Sequence, residues 1–438
     1  MWNKKLHKEI YNIALPSILS NLTVPLLGIF DLVIVGHLGA SLYIGGIAVA
    51  STIFSMLYWV FAFLRMGTTG LTAQSNGAAD CEEMNYCLLR SCLVSAMISI
   101  VLLLLQRPIS EFAFLIVDAT PDVRTHAYTY YNICIWGAPA VLAQYSLTGW
   151  FLGMQNAKAP LCVSIVQNVV NVVASFCFVY VFDMNIAGVA MGTLLAQYVG
   201  LFLSLYFCKL TYIKERLEFV VNRVELLRQS VLIRFFKVNR DIFLRTLCLV
   251  CVTLYFTSAG SRQGEVILAV NALLMQFFLL YSYFMDGVAF AGEALSGRYL
   301  GARKYTELMK TLRALFVWGV AFALFASLVY VGVGKMFVTL MTDQVNVIVA
   351  SATYMPWVYV IPVSGMAAFI WDGVFIGITA TRQMLISMAL SMVLFFVVDA
   401  SLSEIMGNHA LWLAFVIYIS MRGIAQSFLF IQIKRRWL

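Results

Sequence analysis

The chain has 438 residues, of which 62% are hydrophobic and only 11% are charged. Soluble domains carry roughly 25% charged residues, so the composition excludes an ordinary soluble globule. With a mean hydropathy of +0.88, most of the chain must face lipid or other apolar helices. The composition therefore predicts a polytopic membrane protein.

The apolar segments are long enough to cross a bilayer, which takes about 20 apolar residues per helix. Runs such as 92–105 and 318–333 are apolar on every face, which is typical of helices and not of barrel strands. We therefore expect an all-α protein with about twelve transmembrane helices. The runs fall at 9–35, 43–75, 88–106, 125–153, 160–182, 186–208, 240–258, 266–295, 312–333, 347–378, 384–402 and 409–431.

The distribution of Lys and Arg predicts the orientation. Of the 29 basic residues, 22 fall on the side of the two termini, 4 on the other side and 3 in the interior of runs, more than three residues from either end. By the positive-inside rule, both termini lie in the cytoplasm of a multi-pass protein of the cell membrane, the plasma or inner membrane. The first helix begins after Lys4, Lys5 and Lys8 and is expected to stay attached. Topology explains the net charge of +8, so no nucleic-acid partner is expected.

The segment 209–239 is the only long polar stretch. Its apolar residues are spaced for one face of a helix, which predicts an amphipathic helix on the inner leaflet, in contact with membrane lipids. It separates an amino-terminal six-helix lobe, 1–208, from a carboxy-terminal six-helix lobe, 240–438. The apolar residues are Leu217, Val220, Val221, Val224 and Leu227.

The two halves repeat each other. Gly149–Gly153 matches Gly373–Gly377 at an offset of 224 residues, and Ala48-Val49 precedes Ala269-Val270 by 221. Two pseudo-symmetric lobes with the same orientation are typical of alternating-access transporters. The shorter offset pairs Arg65 with Asp286.

Asp31 is the clearest functional candidate of the first half. Charge inside a bilayer costs about 3 kcal/mol on insertion scales. Pro16, Pro25 and Gly28 in the same run loosen the helix and allow it to bend. A carboxylate there could take a proton from one side and release it on the other, or bind a cation. The structural alternative is a carboxylate satisfied by neighbouring hydroxyl groups.

Polar residues of two later runs could be the partners of Asp31. Asn168 and Asn171 lie three apart on one helix face, and Thr193 lies in the next run. They could surround the carboxylate, or they could simply bind helices together. The sequence leaves both possibilities open.

The second half contributes three further candidate carboxylates. Asp286 and Glu293 share one run, and Asp372 lies in another. Buried opposite charges tend to pair, so Asp372 is either a partner of Arg245 or Arg65, or a group that contacts substrate or ion.

Four groups near the ends of runs are expected to have ordinary surroundings. Asp399 and Glu404 end the eleventh run, where outer solvent would explain them. His37 ends the first run and His126 begins the fourth, so both are expected at the interface.

Enzyme motifs are absent from the sequence. There is no P-loop, no H-E-x-x-H and no G-x-S-x-G. Cys248 and Cys251 form a C-x-x-C without a second ligand pair at zinc spacing, so no metal site is predicted. We expect a protein that is not an enzyme, has no bound cofactor and uses an ion gradient for any transport.

Longer motifs give the chain a family resemblance. They are Ala14-Leu-Pro16, Asn21-Leu-Thr-Val-Pro25, Asp31 through Leu38, Phe63 through Gln74, Asn239 through Thr246, Asn271 through Gln276, Asp286-Gly287, Glu293 through Arg298 and Asp372 through Gly377. Together they resemble the multidrug and toxic compound extrusion (MATE) family, in its DinF-like branch.

The resemblance implies two six-helix lobes in a V, with substrate in the cleft. It also implies export of amphipathic, often cationic small molecules against inward proton or sodium flow. Asp31, Asn171 and Thr193 match the family pattern of the first lobe. Ser175 replaces the second carboxylate of that pattern, which favours a single proton at Asp31 or moves ion coupling toward Asp372.

The resulting hypothesis is a monomeric, ion-driven antiporter in which protonation of Asp31 changes the bend of the first helix. The alternative is a flippase for a lipid-linked precursor, which should have a cleft richer in Arg and Lys. Only three arginines, Arg65, Arg245 and Arg422, lie in the interior of the runs, more than three residues from either end.

Overall fold

The computed structural model describes residues 4–36, 41–116, 120–218, 222–226 and 228–435, which contain helices and no β-strand. The helical class predicted from the sequence is confirmed. The helices are α1 (Lys4–Gly36), α2 (Ser41–Val60), α3 (Phe63–Gly77), α4 (Cys81–Leu104), α5 (Gln106–Ile116), α6 (Pro121–Cys134), α7 (Ala138–Gly153), α8 (Lys158–Phe176), α9 (Asn185–Lys214), α10 (Arg223–Leu226), α11 (Gln229–Arg262), α12 (Glu265–Gly301), α13 (Tyr305–Met341), α14 (Val345–Gly377), α15 (Thr381–Met406) and α16 (Asn408–Lys434).

Ten helical segments in the described part of the chain are long and apolar enough to cross a membrane. They correspond to ten of the twelve predicted runs and make the protein a multi-pass membrane protein. The other two runs, in α1 and in 125–153, are also helical. The count of twelve spans therefore stays a prediction for these two segments.

The chain forms two compact units. The first unit is Leu19–Phe235, and the second unit combines Met1–Ile18 with Phe236–Leu438. The start of α1 belongs to the second unit because it packs there: Gly287 lies against the backbone of Ile18, and the Tyr299 hydroxyl donates a hydrogen bond to Glu9 at 3.0 Å. The sequence analysis placed these residues in the amino-terminal lobe, 1–208. The boundaries of the two lobes in the membrane stay a prediction.

The segment 209–239 is not one continuous helix in the part that the structure describes. It contains the end of α9, the short α10 and the start of α11. Val220, Val221 and Leu227, on which the amphipathic pattern partly rested, lie outside the described residues.

A buried arginine holds α10 against α4. The Arg90 side chain donates to the backbone oxygens of Leu226 at 3.1 Å and Glu225 at 2.9 Å, and it pairs with Glu83 at 2.7 Å. These bonds satisfy carbonyl groups that a helix terminus leaves unpaired. They give the polar segment a fixed attachment to the first unit.

The internal repeat is visible in the helix boundaries and turns at an offset of 224 residues. Helix α3 ends at Gly77 and α12 at Gly301, while α4 begins at Cys81 and α13 at Tyr305. The same offset relates three pairs of residues with positive φ: Ala79 and Arg303, Gln155 and Thr379, Asp183 and Gly407.

Equivalent glycines make the same helix contact in each unit. Gly149 of α7 lies against the carbonyl of Arg65 in α3, and Gly373 of α14 lies against the carbonyl of Ala289 in α12. Because Arg65 thus corresponds to Ala289, the pairing of Arg65 with Asp286 drawn from the 221-residue offset was wrong. Small residues at such crossings let helix backbones approach closely.

Gly373→Ala should destabilise the protein, because the new methyl group would meet the Ala289 backbone, which cannot move aside easily. We expect a cost of about 1–3 kcal/mol from overpacking, seen as a lower melting temperature in detergent. The matched control is Gly332→Ala, since nothing lies within 4 Å of a methyl group there. Equal melting temperatures for the two variants would contradict this account of the helix contact.

Candidate functional site

Asp31 lies in the interior of the first unit, on the last third of α1, and is 3% exposed. Pro25, earlier in the same helix, has no N–H and so cannot complete the helical hydrogen bond to the preceding turn. The helix can bend there at low cost. Asp31 therefore lies after the point at which α1, the helix that positions it, can bend.

Three helices bring polar groups to Asp31. Asn171 of α8 and Thr193 of α9 lie next to its carboxylate. The Asn171 amide donates to the Thr193 hydroxyl at 3.0 Å, and the Tyr130 hydroxyl of α6 lies 3.4 Å from the same oxygen. One carboxylate oxygen of Asp31 and the amide oxygen of Asn171 have no hydrogen-bond partner among the described groups. The structure thus brings together the predicted site residues Asp31, Asn171 and Thr193. The two oxygens without a partner are available to bind a proton or a cation.

Tyr130 belongs to this cluster but was missed in the sequence. It is buried, and its contact with Thr193 makes it the fourth polar side chain of the cluster, after Asp31, Asn171 and Thr193. Its position within a predicted span could have indicated a polar contact, because a buried Tyr hydroxyl usually has a hydrogen-bond partner.

Asn168 contacts α1 and not the Asp31 carboxylate. Its amide donates to the backbone oxygen of Thr23 at 3.0 Å, and the Thr23 hydroxyl bonds the Ser164 hydroxyl. Beyond Asp31, the Tyr180 hydroxyl donates to the Ile34 carbonyl at 3.0 Å, from a π-helical turn at Cys177–Val181. Helix α1 is therefore held on both sides of Asp31 by the α8 segment.

Ser175 lies one helical turn after Asn171 and is fully buried. Its hydroxyl has no hydrogen-bond partner among the described groups and lies directly against Gly192. The close approach of α9 at Gly192 leaves room for a serine side chain. The position of the second carboxylate in the family pattern is thus uncharged and tightly packed here.

The second unit contains a buried charge cluster around Asp372. Arg245 pairs with its carboxylate, Arg422 donates to the same oxygen at 2.9 Å, and Gln426 donates to the other at 2.6 Å. Arg245 was one of the two predicted partners, whereas the contributions of Arg422 and Gln426 were missed. Two guanidinium groups hold the carboxylate charged, because each favours the ionised form.

The remaining second-half candidates have different surroundings. Asp286 is half-buried and close enough to Arg422 to interact electrostatically with it. Glu293 is buried on α12, where its backbone oxygen contacts Gly377. Arg65 belongs to the first unit and interacts with Tyr145 there.

The expectation that Asp399 faces outer solvent was wrong. Asp399 is 4% exposed, and the Tyr255 hydroxyl donates to it at 2.8 Å. Glu404, farther along α15, is exposed as expected. His126 is half-buried with its ring centroid 4.7 Å from that of Tyr43, and His37 lies outside the described residues.

Asp372→Asn should destabilise the protein, because it leaves two buried guanidinium groups with a neutral partner. Breaking a buried ion pair by removing one partner costs about 3–5 kcal/mol. Thermal melting in detergent measures the effect, with Asp343→Asn in the exposed turn after α13 as the control. A melting temperature equal to that of the control would show that the cluster contributes little to stability.

Comparison with known proteins identifies the family. The MatE family model matches residues 16–177 and 242–400. The DNA damage-inducible protein F of Escherichia coli is 35% identical over 98% of this chain and 92% of that protein. A probable multidrug resistance protein NorM of Acinetobacter baylyi is 22% identical over 44% of each chain.

A solved structure shows the same fold. The Vibrio cholerae MATE transporter VcmN in its bent form aligns with a TM-score of 0.86 at 18% identity, covering 99% of this chain and 98% of that one. The chain belongs to the MatE family of multidrug and toxic compound extrusion transporters.

Proposed function

We propose that the protein is a secondary active antiporter that exports amphipathic, often cationic small molecules across the cell membrane, with both termini in the cytoplasm. Inward proton flow drives the export, and sodium is the alternative ion. The observation that carries this proposal is Asp31, a buried carboxylate with an unpartnered oxygen beside Asn171 and Thr193. No bound cofactor is needed, because the gradient supplies the energy.

Proton exchange at Asp31 follows from its surroundings. No cation is paired with it among the ion pairs of the described residues. A charged carboxylate inside a membrane protein is costly unless it is compensated. Binding a proton removes this cost, and the nearby amide and hydroxyl groups can bond either protonation state. A single carboxylate with Ser175 nearby favours one proton over a multiply coordinated cation.

Asp372 is the weaker candidate for ion coupling. Two guanidinium groups already compensate its charge, and Gln426 occupies its second oxygen. A sodium ion would have to approach two positive groups that cannot be deprotonated in proteins. This arrangement supports placing ion coupling in the first unit.

The bend of α1 gives protonation a way to act on the substrate site. Asn168 and Tyr180 hold α1 on either side of Asp31, so a change of bonding at Asp31 changes the strain at Pro25 between them. A proton can shift the conformation only if the two shapes of α1 bind it with different affinity. We propose that the bent form binds the proton more tightly and releases substrate outward.

The partners in this proposal are the small-molecule substrate and membrane lipids, and the transporter acts as a monomer. Amphipathic substrates need apolar, adaptable contacts more than a fixed set of donors. Nothing in the comparisons supports the alternative, a flippase for a lipid-linked precursor, and the two arginines of the second unit's spans are committed to Asp372.

Asp31→Asn should abolish pH-driven efflux of a fluorescent cationic dye from proteoliposomes, because the amide cannot exchange a proton. Wild type and variant are compared under an imposed pH gradient and an imposed sodium gradient, with Asp343→Asn as the control. Proton-driven export in the Asp31→Asn variant would contradict the proposal. Sodium-driven export that survives the substitution would place the ion site elsewhere.

A further inference from the structure

The run 125–153, predicted as one span, is interrupted in the first unit. A 3-10 turn at Ile135–Gly137 separates α6 from α7, and we call this turn the break. Pro139 follows it and has no N–H, and the Ile135 carbonyl accepts from Ala138, three residues on instead of four. A 3-10 stretch within a longer helix often marks a hinge. The break is therefore a second point in this unit, after Pro25, at which a helix can bend.

The equivalent span of the second unit has no such break. At the 224-residue offset, α6 and α7 correspond to α14, which runs from Val345 to Gly377 as one helix. It does so although it contains Pro362 at about the same depth as Pro139. A proline in this span is therefore not enough to produce the break, and the cause must lie in what surrounds it.

Helix α9 holds the break from one side. The Tyr198 hydroxyl donates to the Trp136 carbonyl within the break at 2.9 Å. The Gln144 amide of α7 donates to the carbonyl of Gln197, the residue before Tyr198, at 2.7 Å. Two consecutive residues of α9 thus contact the break itself and the helix that follows it.

The side-chain amide of Gln197 is also directed at the break. Its oxygen is buried, has no hydrogen-bond partner among the described groups, and lies where a methyl group on Gly137 would be. Only glycine at 137 leaves room for this oxygen. Because buried amide oxygens are nearly always paired, its donor is expected to come from another conformation of its neighbours. The N–H of Ala138, on the next residue, is such a donor.

The repeat associates this amide with the break. At the 224-residue offset, Met421 takes the position of Gln197, and the buried Ile361 takes that of Gly137. The second unit thus lacks both the amide oxygen and the glycine that makes room for it, and its helix is continuous there.

The same face of α9 contacts the Asp31 cluster. Thr193 lies one helical turn before Gln197, and its hydroxyl accepts from the Asn171 amide at 3.0 Å. The Tyr130 hydroxyl, on the helix that ends at the break, lies 3.4 Å from the same oxygen. Two neighbouring turns of α9 therefore contact the cluster around Asp31 and the break.

We propose that the span α6–α7 bends at Gly137 during transport and that Gln197 is the positioning residue for this bend. In the bent form, the Ala138 N–H leaves the Ile135 carbonyl and donates to the Gln197 amide oxygen. This bond stabilises the bent form, because the freed N–H does not stay unpaired. The role in transport rests on the proposed function, whereas the bend is a property of the span.

Fluorine NMR of the purified protein, with 5-fluorotryptophan at its nine tryptophans, tests the bend. Trp136 lies within the break, and Trp136→Phe identifies its resonance. We expect two Trp136 resonances in the wild type, one for each form. Gln197→Met should remove one of them, because it keeps the length of the side chain but removes the acceptor oxygen.

Gln167→Met is the matched control. The Gln167 amide oxygen lies against Gly200 of α9 and not against the break, so this variant should keep both resonances. A single sharp Trp136 resonance in the wild type over the whole temperature range would overturn the proposal. Two resonances that persist in Gln197→Met would overturn the assignment to Gln197.

Dye export in proteoliposomes measures the role in transport. Gln197→Met should lower the maximal export rate about fivefold, the effect of one lost hydrogen bond. The half-saturating dye concentration and the melting temperature should equal those of Gln167→Met, because the residue acts on a conformational step. A maximal rate equal to that of the control would overturn the role, and a lower melting temperature with an unchanged rate would assign Gln197 to stability alone.

A double-variant cycle tests whether Gly137 and Gln197 act together. Gly137→Ala should slow export as Gln197→Met does, because the methyl group takes the place of the amide oxygen. The double variant should then be no slower than either single variant. Effects that multiply would show that the residues act independently and would overturn the proposal. If Gly137→Ala fails to fold, the comparison of Gln197→Met with Gln167→Met still decides.

The two experiments separate this inference from the proposed function. Two Trp136 resonances that respond to Gln197→Met, in a protein without pH-driven export, would keep the bend and remove the antiport function. Export that Asp31→Asn abolishes, in a protein with one unresponsive Trp136 resonance, would keep the antiport function and remove the bend.

Discussion

The cost of an uncompensated charge in an apolar interior governs the arrangement of this protein. Asp372 is surrounded by two guanidinium groups and an amide, so it can stay charged. Asp31 has an amide and a hydroxyl beside it and an oxygen without a partner. The same carboxylate chemistry therefore has two surroundings: a compensated ion-pair cluster in the second unit and, in the first unit, a carboxylate without a paired cation among the described residues, to which we assign proton exchange in the proposed function.

Close packing of the helices positions these charged side chains. Gly149 and Gly373 allow equivalent helix pairs to approach until backbone meets backbone, and Gly192 does the same beside Ser175. Once the backbones are in contact, little space remains for a side chain to turn toward water. Small residues at the crossings thus determine which polar groups are buried, although they carry no polar chemistry themselves.

The sequence predicted the polar groups of the first unit well, because a carboxylate or amide within an apolar run is conspicuous. Asp31, Asn171 and Thr193 were found in this way, and Arg245 was one of two candidate partners named for Asp372. Depth along a helix was predicted less well. Asp399 lies near the end of its run and was expected in solvent, but its burial depends on α11, which no pattern within α15 reveals.

Other features of the site and of the repeat could be recognised only once the neighbouring helices were known. Tyr130 and Gln426 join their clusters through the direction in which each helix faces, and many residues of the same type in this chain face elsewhere. The 221-residue offset rested on an Ala-Val pair that is too common in apolar runs to fix a register. The contacts of Gly149 and Gly373 fixed it at 224, because only one register places both glycines at a helix crossing.

The boundaries between the two units fall inside helices, after Ile18 in α1 and after Phe235 in α11. Many multidomain proteins are joined by flexible loops that absorb motion without storing energy. Here both covalent connections between the units run through helices, α1 and α11, and not through loops. Asp31 lies on α1 beyond the boundary at Ile18, so the proposed ion site and one connection between the units share a single helix.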